Sequence, residues 1–270
     1  MEETSHRTLQ RALNSAKPLI GTFLTTPSTE IAEALALIGF DWVFLDTEHG
    51  SLSIHDAQIA IQAIANRCFT LVRVGDATPE NIKRTLDTGC SGIVVPLVNS
   101  EEAARSIVSQ SRYPPLGNRS VGPGRAQGYG LRFAEYFEVA NDEVAVVIQI
   151  EHKDAVRNLE SILAVAGIDA VFVGPYDLSG SMGLLGQIGH PDVAAAVNRV
   201  RAACLRAKMP LGIFCGNAQQ AQQEIESGAT LLAVGTDILH MANSGRATLE
   251  ALRPLYESPA GSLASTTCPG

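Results

Sequence analysis

The sequence predicts a single-domain α/β protein of the (β/α)8 type, a TIM barrel. Three observations carry that reading: eight short apolar runs recur along the chain, longer amphipathic stretches separate them, and glycines close several of those stretches. The length is sufficient, because 270 residues exceed the roughly 250 that such a barrel takes.

The apolar runs are Leu19–Leu24, Trp42–Asp46, Thr70–Val74, Gly92–Pro96, Val144–Ile150, Ala170–Val173, Leu211–Phe214 and Leu231–Val234. Most are rich in Val, Ile, Leu and Phe without strict alternation, the pattern of strands buried on both faces of a parallel sheet. Between them, Thr29–Ile38, Ile54–Asn66, Pro79–Asp87, Ser100–Ser109, Lys153–Val165, Val193–Lys208 and Ala218–Ser227 carry apolar residues at helical spacing. Gly39, Gly89, Gly167 and Gly228 follow as stop signals, while Thr78-Pro79 and Ser100-Glu101 read as starts. A last helix is expected from Asp237 to Tyr256. Eight strand–helix units without a break favour closure over an open sheet, and no GxGxxG follows the first strand. Residues 1–256 are therefore expected to form the barrel with an N-terminal helix, and 257–270 a disordered tail. Tyr113–Asn141 does not fit the unit length; long and rich in Gly, Arg and aromatics, it reads as a functional loop.

Composition narrows the function. A net charge of −8 argues against nucleic acid as the main partner. No run approaches 18 apolar residues, so no membrane span is expected, and the polar N-terminus has no signal-peptide core. The five cysteines (Cys68, Cys90, Cys204, Cys215 and Cys268) are scattered and form no CxxC, which fits a reducing compartment; the expected location is the cytoplasm. Cys68, Cys90 and Cys204 read as small core residues.

Barrel active sites sit at the C-terminal ends of the strands. The polar residues expected there are Asp46, Glu48, His49, Arg73, Gln149, Glu151, Asp177, Asn217 and Asp237. Glu151 and Asp177 are the candidate metal ligands, since two carboxylates with water and a bidentate substrate suit Mg2+, Mn2+ or Co2+. Read alone, Glu151 equally suits a helix N-terminus and Asp177 a turn cap. His49 reads as a general base with Asp46 to orient its ring, or as a satisfied loop residue. Arg73, a charge at the end of a buried strand, either pairs with Asp46 or Glu48 or faces a substrate oxygen. The only lysines are Lys17, Lys83, Lys153 and Lys208, none at an inward strand end, which disfavours imine chemistry and favours metal-assisted enolisation.

The segments FDWVFLDTEHG, LVRVGD, GIVVPLVNS, RYPPLGNRSVG, VVIQIEHKDAVRNL, GIDAVFVGPYDLSGSMGL and LLAVGTD resemble the metal-dependent (class II) pyruvate aldolases of the 4-hydroxy-2-oxoheptanedioate and 2-dehydro-3-deoxyglucarate aldolase type. The resemblance spans about Leu19 to Leu252, and VGPYDLS some 25 residues after IQIE is its most specific pairing. It implies reversible cleavage of a 4-hydroxy-2-oxo acid to pyruvate, or hydroxypyruvate, and an aldehyde through a metal-bound enolate. It implies Glu151 and Asp177 as ligands of the divalent metal, Gln149 beside metal and substrate, Arg73 at the enolate oxygen, and His49 backed by Asp46 as base. Gly174, Pro175, Tyr176 and Asp177 would form a turn offering backbone N–H groups to the pyruvate carboxylate. Asp87 would reach a neighbouring subunit's site in a hexamer that exchanges C-terminal helices. The chain departs from the family in SVGPGRAQGYG after Arg119 and in Tyr176, so the aldehyde is left open. Three other readings stand beside this one: an acyl-CoA-type lyase of the same superfamily, such as a citrate lyase β-like enzyme; a phosphate-binding barrel isomerase or synthase; and a non-catalytic barrel.

Overall fold

The computed structural model describes residues 8–15 and 17–253. Eight parallel strands close into a barrel in chain order: β1 (Leu19–Leu24), β2 (Trp42–Asp46), β3 (Phe69–Arg73), β4 (Gly92–Val95), β5 (Ala145–Ile150), β6 (Ala170–Val173), β7 (Leu211–Cys215) and β8 (Leu231–Thr236). β8 pairs back onto β1, which closes the ring and removes both sheet edges. All eight expected strands are present, their ends moved by no more than two residues.

The helices are α1 (Leu9–Leu13), α2 (Thr29–Ile38), α3 (Ile54–Ile64), α4 (Pro79–Asp87), α5 (Glu101–Ser111), α6 (Phe133–Glu143), α7 (Lys153–Arg157), α8 (Leu159–Leu163), α9 (Pro175–Ser181), α10 (Pro191–Ala207), α11 (Ala218–Glu226) and α12 (Asp237–Leu252). The expected starts at Thr78 and Ser100 hold, and Ser28 and Ser53 act likewise: each of these side chains accepts an N–H from the first turn. Gly39 ends α2 at φ 98, a left-handed conformation that costs other residues more than glycine. The residues beyond 253 and the expected tail at 257–270 lie outside the described residues.

Three expectations are corrected. Lys153–Val165 is two short helices, because Asn158 (φ −94, ψ 13) breaks the helical path between α7 and α8. Tyr113–Asn141 is not all loop; its second half is α6, where Tyr136 and Phe137 meet the Tyr113 ring edge-on and Phe133 stacks on Phe137. The turn after β6 is the start of α9, with Pro175 at its first position. Among the cysteines, Cys90 and Cys204 are buried as expected, whereas Cys68 is half-buried.

Two apolar layers explain the missing alternation in the strands. Phe23, Trp42, Phe44, Leu71, Val94, Val147 and Phe172 point into the barrel, and α1 contributes Leu9, Ala12 and Leu13 to the same cluster. Val43, Leu45, Val72, Ile93, Val146, Ile148 and Val171 point outward beneath the helices. Because side chains alternate along a strand, the next inward positions after Phe44, Leu71 and Val147 are Asp46, Arg73 and Gln149, with Glu151 one step higher. The interior turns from apolar to charged at one level, the C-terminal mouth of the barrel.

Candidate active site

β2 and β3 are in register with Asp46 opposite Arg73. Arg73 donates from Nε to Asp46 Oδ1 at 3.0 Å and from Nη2 to Oδ2 at 2.7 Å, a bidentate pair held almost fully out of water. Its guanidinium carbon lies 5.4 Å from the Phe44 ring centre and 5.9 Å from that of Phe23, so the charge rests on the aromatic layer of the core. Asp46 Oδ1 also accepts the backbone N–H groups of Glu48 and His49 at 3.1 and 3.2 Å. Burial acts to raise the Asp46 carboxyl, but the Arg73 hydrogen bonds and charge outweigh it and hold the group below its ordinary value. Arg73 is thus paired with both Asp46 and Glu48, whose Oε2 lies 3.2 Å from Arg73 Nε. The guanidinium has five N–H donors in all, which leaves some for a ligand.

His49 does not take the partner expected for it. Asp46 receives the His49 backbone rather than its ring; the ring nitrogen Nε2 instead lies 3.8 Å from Glu48 Oε2, and the side chain is 66% exposed. Glu48, expected on the rim only as a possible partner for Arg73, has a more distinctive setting. Its side chain is only 16% exposed, and its buried Oε2 accepts no hydrogen bond, since the nearby Arg73 Nε–H is directed to Asp46. Burial pushes the Glu48 carboxyl above its ordinary value, with Arg73 and His49 opposing and Asp46 and Asp177 reinforcing the shift.

Glu151 is buried at the end of β5. Its Oε1 accepts the Leu97 N–H at 2.7 Å and its Oε2 accepts from the Gln149 amide. Burial raises the Glu151 carboxyl too, and the charges of Glu48 and Asp177 add to the shift. Leu97 sits just past β4 at φ 55, a conformation uncommon for leucine, with its side chain 57% exposed. The strain aims its N–H at Glu151, a contribution by the backbone that no side-chain pattern announces. Gln149 keeps its Oε1 buried and without a partner.

Asp177 lies in the first turn of α9, exposed, on the strand end next to that of Glu151, and its charge acts on both Glu151 and Glu48. The donor role expected of the Gly174–Asp177 turn is narrower than the sequence implied. The Gly174 N–H bonds to the Ile150 carbonyl at 3.2 Å and Pro175 has no N–H, which leaves the first-turn amides of Tyr176 and Asp177. Tyr176 is 56% exposed. Gly174 itself is required by space, because a Cβ there would lie 2.7 Å from Glu151 Oε2.

Two expected rim residues, Asn217 and Asp237, serve the scaffold, and Asp87 lies away from the mouth. Asn217 caps α11. Asp237 accepts the backbone N–H and the hydroxyl of both Thr25 and Thr26, and so ties β8 to the end of β1. Asp87 ends α4 on the opposite side of the barrel, where it accepts from Arg119 Nη2 at 2.8 Å and Gln127 Nε2 at 3.0 Å; within one protomer it does not join the mouth cluster. The long segment after Arg112 docks at that opposite end as well, through Arg125 on the Thr88 carbonyl and Tyr129 against Gln62. Lys17, Lys83, Lys153 and Lys208 are all outside the core, so no lysine amine is available inside the barrel for an imine.

One mouth therefore holds Asp46, Glu48, Glu151 and Asp177 against a single guanidinium, Arg73. Among the described residues no three His, Cys, Asp or Glu side chains are arranged to enclose a metal ion, and no helix is long and apolar enough to cross a membrane. Residues 19–244 match the HpcH/HpaI aldolase/citrate lyase family. A 4-hydroxy-2-oxo-heptane-1,7-dioate aldolase from Shigella sonnei is 39% identical over 87% of this chain and 91% of its own length. A 2-dehydro-3,6-dideoxy-6-sulfogluconate aldolase from Pseudomonas putida is 38% identical over 87% and 92%. The crystal structure of a family protein from Burkholderia cenocepacia J2315 superposes with a TM-score of 0.88 at 37% identity, covering 91% of this chain and 98% of that one. With the same barrel and an extended match to named aldolases, the chain belongs to the HpcH/HpaI aldolase/citrate lyase family and is a carbon–carbon lyase of its aldolase branch.

Proposed function

We propose that this aldolase cleaves a 4-hydroxy-2-oxo acid reversibly to pyruvate, or hydroxypyruvate, and an aldehyde, with a divalent metal ion held by Glu151 and Asp177. The observation that carries the proposal is the charge imbalance of the mouth. Four carboxylates face one arginine, and burial raises two of them, Glu48 and Glu151. A cation would relieve that imbalance, and the oxygen donor set suits Mg2+, Mn2+ or Co2+. With only two protein carboxylates to hold it, such an ion would leave room for water and for the substrate's 1-carboxylate and 2-oxo group. When bound, the metal supplies Lewis acidity to the charge that develops at the C2 oxygen.

The residues of the chain do the rest. Arg73, fixed by Asp46, presents its remaining N–H groups to the developing oxyanion; donors of this kind are typically worth ~3–4 kcal/mol by removal. Gln149, with its partnerless Oε1, lines the pocket beside Glu151 and orients a donor on the substrate or its solvent. Tyr176 and Asp177 offer first-turn amides to the carboxylate. His49 carries protons between the site and solvent, consistent with its exposed ring. The assembly belongs to the same proposal: a homohexamer, with a neighbour covering the exposed Ile238, Leu239, Met241, Leu249 and Leu252 of α12, and Asp87 directed to a neighbouring mouth. The wider relation to lyases acting on coenzyme A esters is separated by asking whether turnover on pyruvate and an aldehyde needs coenzyme A. The test of the metal is direct. Chelated enzyme should lose pyruvate-forming cleavage and regain it with added Mn2+ or Mg2+, and Glu151→Ala or Asp177→Ala should abolish the regain while far-UV dichroism stays unchanged. Wild-type rates in either variant after chelation would refute the assignment.

A further inference from the structure

We propose that Glu48 takes the proton from the substrate's 4-hydroxyl and hands it outward to His49. The proposal rests on the aldolase reading above and names a catalytic residue within it.

Four observations converge on Glu48. First, Glu48 Oε2 is a buried acceptor with no donor, at the mouth and 3.2 Å from Arg73 Nε. A buried carboxylate oxygen without a hydrogen bond is costly unless a ligand supplies one. Second, the other buried carboxylates of the mouth are committed, and the exposed Asp177 is the one assigned to the metal. Asp46 accepts two Arg73 N–H groups and two backbone N–H groups, and Glu151 accepts from Leu97 and Gln149. Third, the His49 ring is mostly in solvent, with Nε2 3.8 Å from the same Glu48 oxygen. An outer imidazole and an inner carboxylate in contact form a two-step path between a closed site and water. Fourth, the surroundings keep Glu48 proton-accepting without making it inert. Burial and the charges of Asp46, Asp177 and Glu151 favour its protonated form, while Arg73 from β3 and His49 on its own segment favour the ionised form.

The step balances without redox chemistry. The C4 O–H bond breaks and its proton goes to Glu48 Oε2. The C3–C4 pair becomes the C2=C3 double bond, and charge settles on the C2 oxygen beside Arg73. C4 leaves as the aldehyde carbonyl carbon. The proton on Glu48 then passes to His49 Nε2 and to water, and a proton from solvent converts the enolate to pyruvate.

Oxaloacetate makes the test specific. Its decarboxylation forms the same enolate but has no hydroxyl proton to remove. In the Mn2+-loaded full chain, Glu48→Gln should lower kcat for 4-hydroxy-2-oxo acid cleavage by about 100-fold or more, with KM within about threefold, while oxaloacetate decarboxylation stays within about threefold of wild type. Glu48→Asp should recover part of the lost cleavage. His49→Ala should lose less, about tenfold, and regain rate with added imidazole, because only the exit of the path is missing. Equal loss of cleavage and decarboxylation in Glu48→Gln, or loss of neither, would overturn the proposal. A wild-type chain that decarboxylates oxaloacetate yet cleaves no 4-hydroxy-2-oxo acid would overturn the aldolase reading, and this proposal with it.

Discussion

A methyl group on Gly174 would stand 2.7 Å from Glu151 Oε2, 2.8 Å from its Cβ and 3.1 Å from Gln149 Nε2. None of these atoms can yield without moving the Glu151 carboxylate, because that group is fixed by the Leu97 N–H on one side and Gln149 on the other. Gly174→Ala should therefore lower kcat/KM by about 100-fold, the scale of a misplacement near 1 Å. Mn2+ affinity measured by calorimetry should fall with it, while the thermal midpoint stays within a few degrees. Full activity in the variant would mean that Glu151 is not placed by this contact. At this scale much of the site was legible. Asp46, Arg73, Gln149 and Glu151 follow from alternation along β2, β3 and β5, because the first three occupy the inward position after the last apolar one and Glu151 the next inward position after Gln149. The partner of the His49 ring was not legible, since Asp46 and Glu48 are both within reach in sequence and only the Arg73 geometry decides between them. Nor was Leu97, whose contribution is a backbone N–H at an uncommon φ.

Elements fix how far these residues can drift. α12 has Asp237 as its only buried residue, so its contact with the barrel depends heavily on the four hydrogen bonds that Thr25 and Thr26 give this carboxylate. Asp237→Ala should lower stability by about 2–4 kcal/mol, read as a fall in the urea midpoint. Burial alone would raise the Asp237 carboxyl, yet the Thr25 and Thr26 bonds hold it below its ordinary value of 3.8. Its contribution is therefore complete above that ordinary value and is lost as pH falls through the lower folded one. The gap between wild type and variant should narrow in acid, and a gap that widens there would show that the carboxylate is not what holds the seam. The helices α6 and α9 were hidden in sequence for different reasons. The Gly-rich run before Phe133 masks the aromatic stripe of α6, and Gly174-Pro175 reads as a turn although proline is well suited to the first position of a helix. The strands were legible because their outward and inward faces are both apolar, which left compact runs between clear stop signals.

The whole molecule is a scaffold that holds three largely buried carboxylates, Asp46, Glu48 and Glu151, and the exposed Asp177 around one arginine, and this arrangement sets its stability as well as its chemistry. Burial holds Glu151 above its ordinary value of 4.5, so the charged form at neutral pH opposes folding. That cost is present above the folded value and is relieved as pH falls towards the unfolded one. Glu151→Gln removes the charge and keeps the hydrogen bonds: its Oε1 still accepts from Leu97, and a rotated Gln149 amide can present its partnerless Oε1 to the new N–H2 group. The metal-free variant should then unfold at or above the wild-type temperature at pH 7. Saturating Mn2+, near 100 times its dissociation constant, should stabilise the wild type by about 2.7 kcal/mol, or about 5–10 °C for a chain of this length. The same addition should leave Glu151→Gln unmoved. Differential scanning calorimetry with and without Mn2+ reads both effects in one experiment. A metal-free variant less stable than wild type would show that the Glu151 charge is already compensated by the fold. A variant that Mn2+ still stabilises by the wild-type amount would place the cation away from β5 and α9.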